Sequence, residues 1–281
     1  MKLISRNEIQ KPETVYNLHI ENDHNYIVEG AVVKNCHMAK ADILKKLLTQ
    51  YCPKAPIRWG LTGTIPKAEI DQLNIKVALG EVVNQVKAHE LQEKGILSNC
   101  HVNIIQTGEW KEFGSYAEEL KYLVTNEARM KFVADRVNVI ATSGNTLVLV
   151  DRIESGRILT EAIANSVFIS GAVKTKDRTE EYDEVKTSNN RVIVATYGVA
   201  AVGINVPRLF NFVLIEPGKS FVRVIQSIGR GLRLADDKDF VNIYDITAST
   251  KYSKKHLTER KRFYKDAQYP FAVEKVSRPT I

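Results

Sequence analysis

Five short apolar runs in the second half of the chain restrict its fold more than any other feature. They are TLVLV (146–150), SVFIS (166–170), RVIVAT (191–196), FNFVLIE (210–216) and FVNIYDI (240–246). Such near-continuous runs read as strands buried on both faces. Helical patterns separate most of them, and strands alternating with helices indicate a parallel sheet covered on both sides. The fold class expected is therefore α/β. Upstream, MAKADILKKLLTQY (38–51) has helical spacing and IRWGLTGT (57–64) reads as a buried strand ending in a turn. A helical stretch follows near 82–94, then a strand at HVNIIQ (101–106) and a long helical pattern over roughly 115–141. GEWKEFGS (108–115) reads as a linker, which divides the α/β part into residues 36–107 and 108–281.

Residues 1–35 follow a different rhythm. VYNLHI (15–20), YIVEG (26–30) and AVV (31–33) are strand-like runs broken by polar turns, a small β unit too short to close a core alone. No apolar run reaches the ~18 residues that span a membrane, and no apolar segment follows Lys2 and Arg6 as in a secretory signal. Three widely spaced cysteines (Cys36, Cys52, Cys100) suit a reducing cytoplasm rather than a disulfide framework or a zinc site. The net charge is +7, and all of the excess lies beyond residue 35. A phosphate-backbone partner fits that excess.

Candidate chemistry concentrates at strand ends, where open parallel sheets bind ligands. Thr62 and Thr64 follow IRWGL, Ser170 and Gly171 follow SVFI, and Thr196 closes RVIVA. The sharpest local pattern is QSIGRGLR (226–233). Arg230 and Arg233 are three apart and share one side of a helix, while Gly229 and Gly231 in the same run lower helix propensity. Two fixed guanidiniums suit a phosphoryl group whose charge shifts during transfer.

GLTGT (60–64), TLVLVDRI (146–153), ISGAV (169–173), VIVATYGVAAVGINVP (192–207) and QSIGRGLR occur in one order at domain-scale spacing. Together they resemble motifs III to VI of superfamily 2 helicases, and among these the UvsW-type helicases of T-even-like phages, along nearly all of residues 36–281. The resemblance implies two RecA-like lobes: the C-terminal portion of the first over 36–107 and a complete second over 108–281. It implies that Thr62 and Thr64 couple the ATP state to domain closure. Gly203 and Asn205 would approach the nucleotide, although the family more often has Asp at the latter position. Gln226, Arg230 and Arg233 would form the second lobe's wall of the ATP site, and Ser170, Gly171 and Thr196 would hold the nucleic-acid backbone. ATP and Mg²⁺ are the implied cofactors and DNA the implied partner, with RNA as the alternative. The sequence contains no GxxxxGK[ST] phosphate loop and no complete DECH-type acidic box, so this chain alone is not expected to hydrolyse ATP.

Residues 15–36, VYNLHIENDHNYIVEGAVVKNC, resemble the last two sequence blocks of inteins, and their length and start at Met1 match the C-terminal piece of a split intein. The chemistry accounts for the residues. Asn35 can close its side-chain amide onto its own carbonyl and break the bond to Cys36. Cys36, as thiolate, can accept an acyl group and pass it to its freed α-amine. His24 is the candidate for polarising the Asn35 carbonyl or moving protons. Lys34 stands where the family usually has His and Asn17 where many members have Asp. Cys36-His37 would complete a DECH-type box whose Asp and Glu end an upstream helicase fragment, itself fused to the N-terminal intein piece. His37 would then lie at the nucleotide site. The competing reading is a non-catalytic RecA-like binding module with a plain β extension.

Overall fold

The computed structural model describes most of residues 68–277 and short pieces before them; residues 110, 172–179, 181, 186, 204–205, 207, 221–227, 230–231 and 233 are outside the description. The chain divides into two compact units, Met1–Gln85 and Val86–Ile281.

In the first unit, β1 (Tyr26–Val28) pairs antiparallel with β2 (Ala31–Val33), Ile27 opposite Val32. These strands lie within the YIVEG and AVV runs; the rest of 1–35, and with it VYNLHI, falls outside the described residues. Helix α1 (Glu69–Leu79) carries Glu69 and Asp71 in its first turn, where the helix dipole favours carboxylates, and stops at Gly80, whose φ is +94°. It buries only Ala78, whereas Ile70, Leu73 and Val77, at spacings of three and four, are more than half exposed.

The second unit begins with the short helix α2 (Ala88–Glu93) and holds one seven-stranded sheet. Its strands are β3 (Asn99–Thr107), β4 (Thr146–Val150), β5 (Ser166–Ile169), β6 (Val192–Thr196), β7 (Asn211–Ile215), β8 (Phe240–Ala248) and β9 (Phe271–Val276). Their order is β5-β6-β4-β7-β8-β3-β9 and every pairing is parallel. All five runs that open the sequence argument are strands here, and β4 and β7 are buried at every position.

Helices α3 (Tyr116–Thr125), α4 (Glu127–Ala141) and α5 (Ile153–Ala162) lie between β3 and β5 in sequence. The single helical pattern over 115–141 is thus two helices. Asn126, extended at φ −66° and ψ 123°, ends α3 and caps α4 by accepting from the Arg129 N–H. One face of the sheet packs against Met130, Val133 and Val137 of α4 and Leu159 of α5. Gly156 lets α5 approach closely, because a Cβ there would stand 2.1 Å from the Phe168 ring. The other face packs against α6 (Tyr197–Gly203), Ile228 and Leu232, and α7 (Lys251–Asp266).

The strand expected at 101–106 belongs to this sheet, between β8 and β9, and not to the unit before it. Its alternating burial leaves an apolar row that β8 continues on one side. The presumed linker is accordingly the crossover from β3 to α3. Gly108 N–H donates to Val276 O, Glu109 N–H to Ser249 Oγ, and Ser115 caps α3. The stretch 251–265 is the amphipathic helix α7, with Leu257, Phe263 and Tyr264 buried.

Candidate nucleotide and nucleic-acid site

In a parallel sheet all C-terminal strand ends lie on one rim. Ile169 pairs with Ala195 and Val150 with Thr196, so Ser170, Thr196 and Asp151 follow one another across three neighbouring strands. Ser170 is buried, Gly171 is exposed and Thr196 is half-buried. The structure therefore brings three of the expected nucleic-acid-binding residues to one stretch of rim. The adjoining crevice between β4 and β7 is where the connections leave in opposite directions, the position that holds ligands in such sheets. Gly203 ends α6, the helix that starts directly after Thr196. His24, Lys34, Asn35, Cys36, His37, Thr62, Thr64, Asn205, Gln226, Arg230 and Arg233 lie outside the described residues.

Next to the crevice, β7 is followed directly by Glu216, a buried residue with φ +41°. Its carboxylate accepts from Arg129 Nη2 at 2.6 Å, Ser253 Oγ at 3.1 Å and Thr247 Oγ1 at 3.2 Å. Arg129 also donates to Leu123 O and Thr107 Oγ1, so α4, β3 and β7 meet in one guanidinium. Burial pushes the Glu216 carboxyl above its usual range, and Arg129 and then Arg260 pull against that shift. Deeper along β8, Asp245 receives Arg260 Nε at 2.8 Å and Nη2 at 2.9 Å, and the Tyr264 hydroxyl at 2.8 Å. Arg260 Nη1 donates to Gly218 O at 2.8 Å. Both ends of the Glu216-Pro217-Gly218 turn are thereby held, immediately before the segment that carries Gln226, Arg230 and Arg233. Within that segment Ile228 and Leu232 are buried four apart in the core, and Leu232 O accepts from Ser98 N–H. Glu119 of α3 accepts from the N–H groups of Tyr252 and Ser253, so a carboxylate from another helix caps the N-terminus of α7.

None of these buried charged residues was among the expected site residues, although the sequence carried the signal. Asp245 interrupts the apolar run FVNIYDI, and Arg260 sits on the Leu257–Tyr264 stripe of α7. A charge inside a core strand and another inside a core helix face call for each other. No group of three His, Cys, Asp or Glu among the described residues is arranged to hold a metal ion. The buried carboxylates Glu216 and Asp245 are bonded by Arg129 and Arg260, so these residues do not fit Mg²⁺. No helix of the described residues is long and apolar enough to cross a membrane.

Residues 128–235 match the helicase conserved C-terminal domain. The ATP-dependent DNA helicase UvsW of phage T4 is 25% identical over 239 residues, covering 81% of this chain and 47% of UvsW. A putative helicase of the Sulfolobus islandicus filamentous virus is 25% identical over 235 residues, 76% of this chain and 42% of that protein. The crystal structure of T4 UvsW superposes with a TM-score of 0.55, over 78% of this chain and 48% of that one. A fragment of a putative HsdR subunit from Vibrio vulnificus, 16% identical, shares the fold with a TM-score of 0.60, over 78% of this chain and 45% of that one. The chain spans about half the length of the curated relatives it matches. Residues 128–235 of its second unit therefore match the helicase conserved C-terminal domain, on a parallel α/β fold similar to that of T4 UvsW.

Proposed function

We propose that this chain supplies the second lobe of an ATP-dependent DNA helicase or translocase. The alignment of Ser170, Gly171 and Thr196 on one rim of a helicase C-terminal lobe carries the reading. Their hydroxyl and main-chain N–H groups hold the backbone of the nucleic acid and position it without reading sequence. Gly203, Asn205, Gln226, Arg230, Arg233 and His37 face the nucleotide, and Thr62 and Thr64 couple its state to lobe closure. The similarity to a DNA helicase favours DNA over RNA. In the assembled enzyme, Arg230→Ala and Arg233→Ala lower ATP turnover by about 10³-fold, the loss expected for a guanidinium that stabilises the transferring phosphoryl group. DNA affinity stays within about twofold on the same reasoning. Equal loss of both in a filter-binding and ATPase comparison would show that these arginines hold backbone phosphate instead.

The missing phosphate loop and acidic box come, on this reading, from an upstream fragment joined by protein trans-splicing. Asn35 cleaves, Cys36 carries the acyl group, and His24 and Lys34 assist at the scissile carbonyl. The Asn-Cys junction and its block of preceding residues support this, as does the stripe of Ile70, Leu73 and Val77 on α1, each more than half exposed. ATP and Mg²⁺ would then bind mainly through the upstream fragment. Mixing the chain with that fragment should give a joined product and a freed intein piece by mass spectrometry, both lost in Cys36→Ala. An intact chain after mixing leaves the non-catalytic binding module.

A further inference from the structure

Helix α7 has two unlike faces. Its inner face is fastened: Leu257, Phe263 and Tyr264 are buried, Arg260 is bonded to Asp245, and Glu119 holds the first turn. Its outer face exposes Lys251, Lys254, Lys255, Arg262 and Lys265, with Thr258 between them. At 3.6 residues per turn these five cations fall within an arc of roughly 100°, in a row roughly 21 Å long. Lys261 flanks the row half-buried, and the acids of the helix, Glu259 and Asp266, lie along its opposite margin. None of the five cations is ion-paired among the described residues. The row starts at the binding rim, since α7 follows the end of β8 by two residues. Positive charge continues there: His256 is held below its ordinary range first by burial, then by Arg260 and by Lys219 of the β7 exit loop.

We infer that the outer face of α7 is a second nucleic-acid contact, which takes the phosphate backbone of a duplex. This rests on the nucleic-acid reading above and adds a surface away from Ser170, Gly171 and Thr196. Charge complementarity and shape select the occupant. The row matches roughly six base pairs of duplex rise at 3.4 Å each. The exposed arc presents no aromatic ring, because Phe263 and Tyr264 are buried and Tyr252 lies at its edge under Lys251. Grooves for single strands combine charge with such rings, on which bases stack; this face offers charge alone. The buried attachments hold the cations on a rigid rod, which suits a stiff partner.

The test uses the full chain, a short blunt duplex and a single strand of equal length, with anisotropy read across a salt series. Lys255→Glu/Arg262→Glu/Lys265→Glu should weaken duplex binding on the order of tenfold or more at 0.1 M salt and reduce the log–log salt slope by about three, near 0.9 per phosphate contact. Single-strand affinity should change by less than about twofold, because that term rests on the rim. Lys255→Arg/Lys265→Arg should bind as the unaltered chain does, and all variants should melt alike, since the positions are exposed. Unchanged duplex affinity and slope in the triple variant would overturn the inference, as would equal losses for both probes. Failure of the unaltered chain to bind either probe would remove the nucleic-acid reading together with this surface; binding that survives the charge reversal removes the surface alone.

Discussion

The two ends of the seven-stranded sheet solve the same problem with different chemistry. At the N-terminal end, backbone groups left over where strands begin are satisfied by neutral amides. Asn145 Nδ2 donates to Val185 O, Ser188 O and Arg208 O, while its Oδ1 accepts from Arg191 N–H. Asn211 Nδ2 points to Ile140 O and Gly144 O in the same manner. At the C-terminal end the corresponding work falls to buried ions, Arg129 with Glu216 and Arg260 with Asp245. Burying ions carries a desolvation penalty that amides largely avoid. The charged solution stands at the C-terminal ends of the strands, and it fixes the Glu216–Gly218 turn at both ends. The difference teaches that one end of this sheet is closed and the other is aimed.

Breaking the charged end should have the largest effect. Arg260→Ala leaves the Asp245 carboxylate and Gly218 O in the core without their partner, at about 3–5 kcal/mol by urea denaturation. Arg260→Met combined with Asp245→Leu removes both charges together and should recover most of that loss. Recovery of stability without recovery of ATP turnover in the assembled enzyme would show that the pair serves geometry. Should the double variant be as unstable as the single one, the pair is a plain structural tie and the contrast between the ends weakens.

The neutral end should respond less. Asn145→Ala strands several buried backbone groups at once, worth about 1–3 kcal/mol. Nucleic-acid affinity should be unchanged, because Asn145 precedes β4 at the end of the sheet away from the rim. A loss as large as that of Arg260→Ala would erase the distinction.

The sequence disclosed these ends unequally. The strands were legible because Leu147, Val148, Val194, Val213 and their neighbours need cover on both faces, and local composition records that need. The rim residues Ser170, Gly171 and Thr196 were legible because they directly follow such runs. The placement of β3 was not, since alternation in HVNIIQ states that a strand has one buried face without stating which sheet buries it. Nor was the break at Asn126, where one residue both ends α3 and caps α4 inside an otherwise continuous helical pattern. Arg129 and Glu216, 87 positions apart, became partners only through the fold. A lone Arg on a helix or Glu at a strand end has many satisfactory surroundings, and a sequence does not choose among them.

The smallest effect tests whether the closed end tolerates charge at all. Lys238 is a buried cation there, with Nζ donating to Leu209 O at 3.1 Å. Burial brings its pKa down to about 8, against a weaker pull upward from Asp237. The unfolded chain titrates this amine near ~10.4. Between those values the unfolded state holds more protons than the folded one, so this residue's contribution makes stability rise with pH. Below about pH 8 the whole penalty of keeping an ammonium there is present. Lys238→Met should therefore gain on the unaltered chain at pH 7, and the gap should close as pH approaches 10. Cys100, whose thiol burial pushes up to about 11, acts in the opposite sense in both proteins and cancels in the difference. Parallel stability curves would mean that an ammonium is held at this end without penalty. The neutral chemistry of Asn145 and Asn211 would then be incidental, and the charged rim could no longer be read as a departure that binding requires.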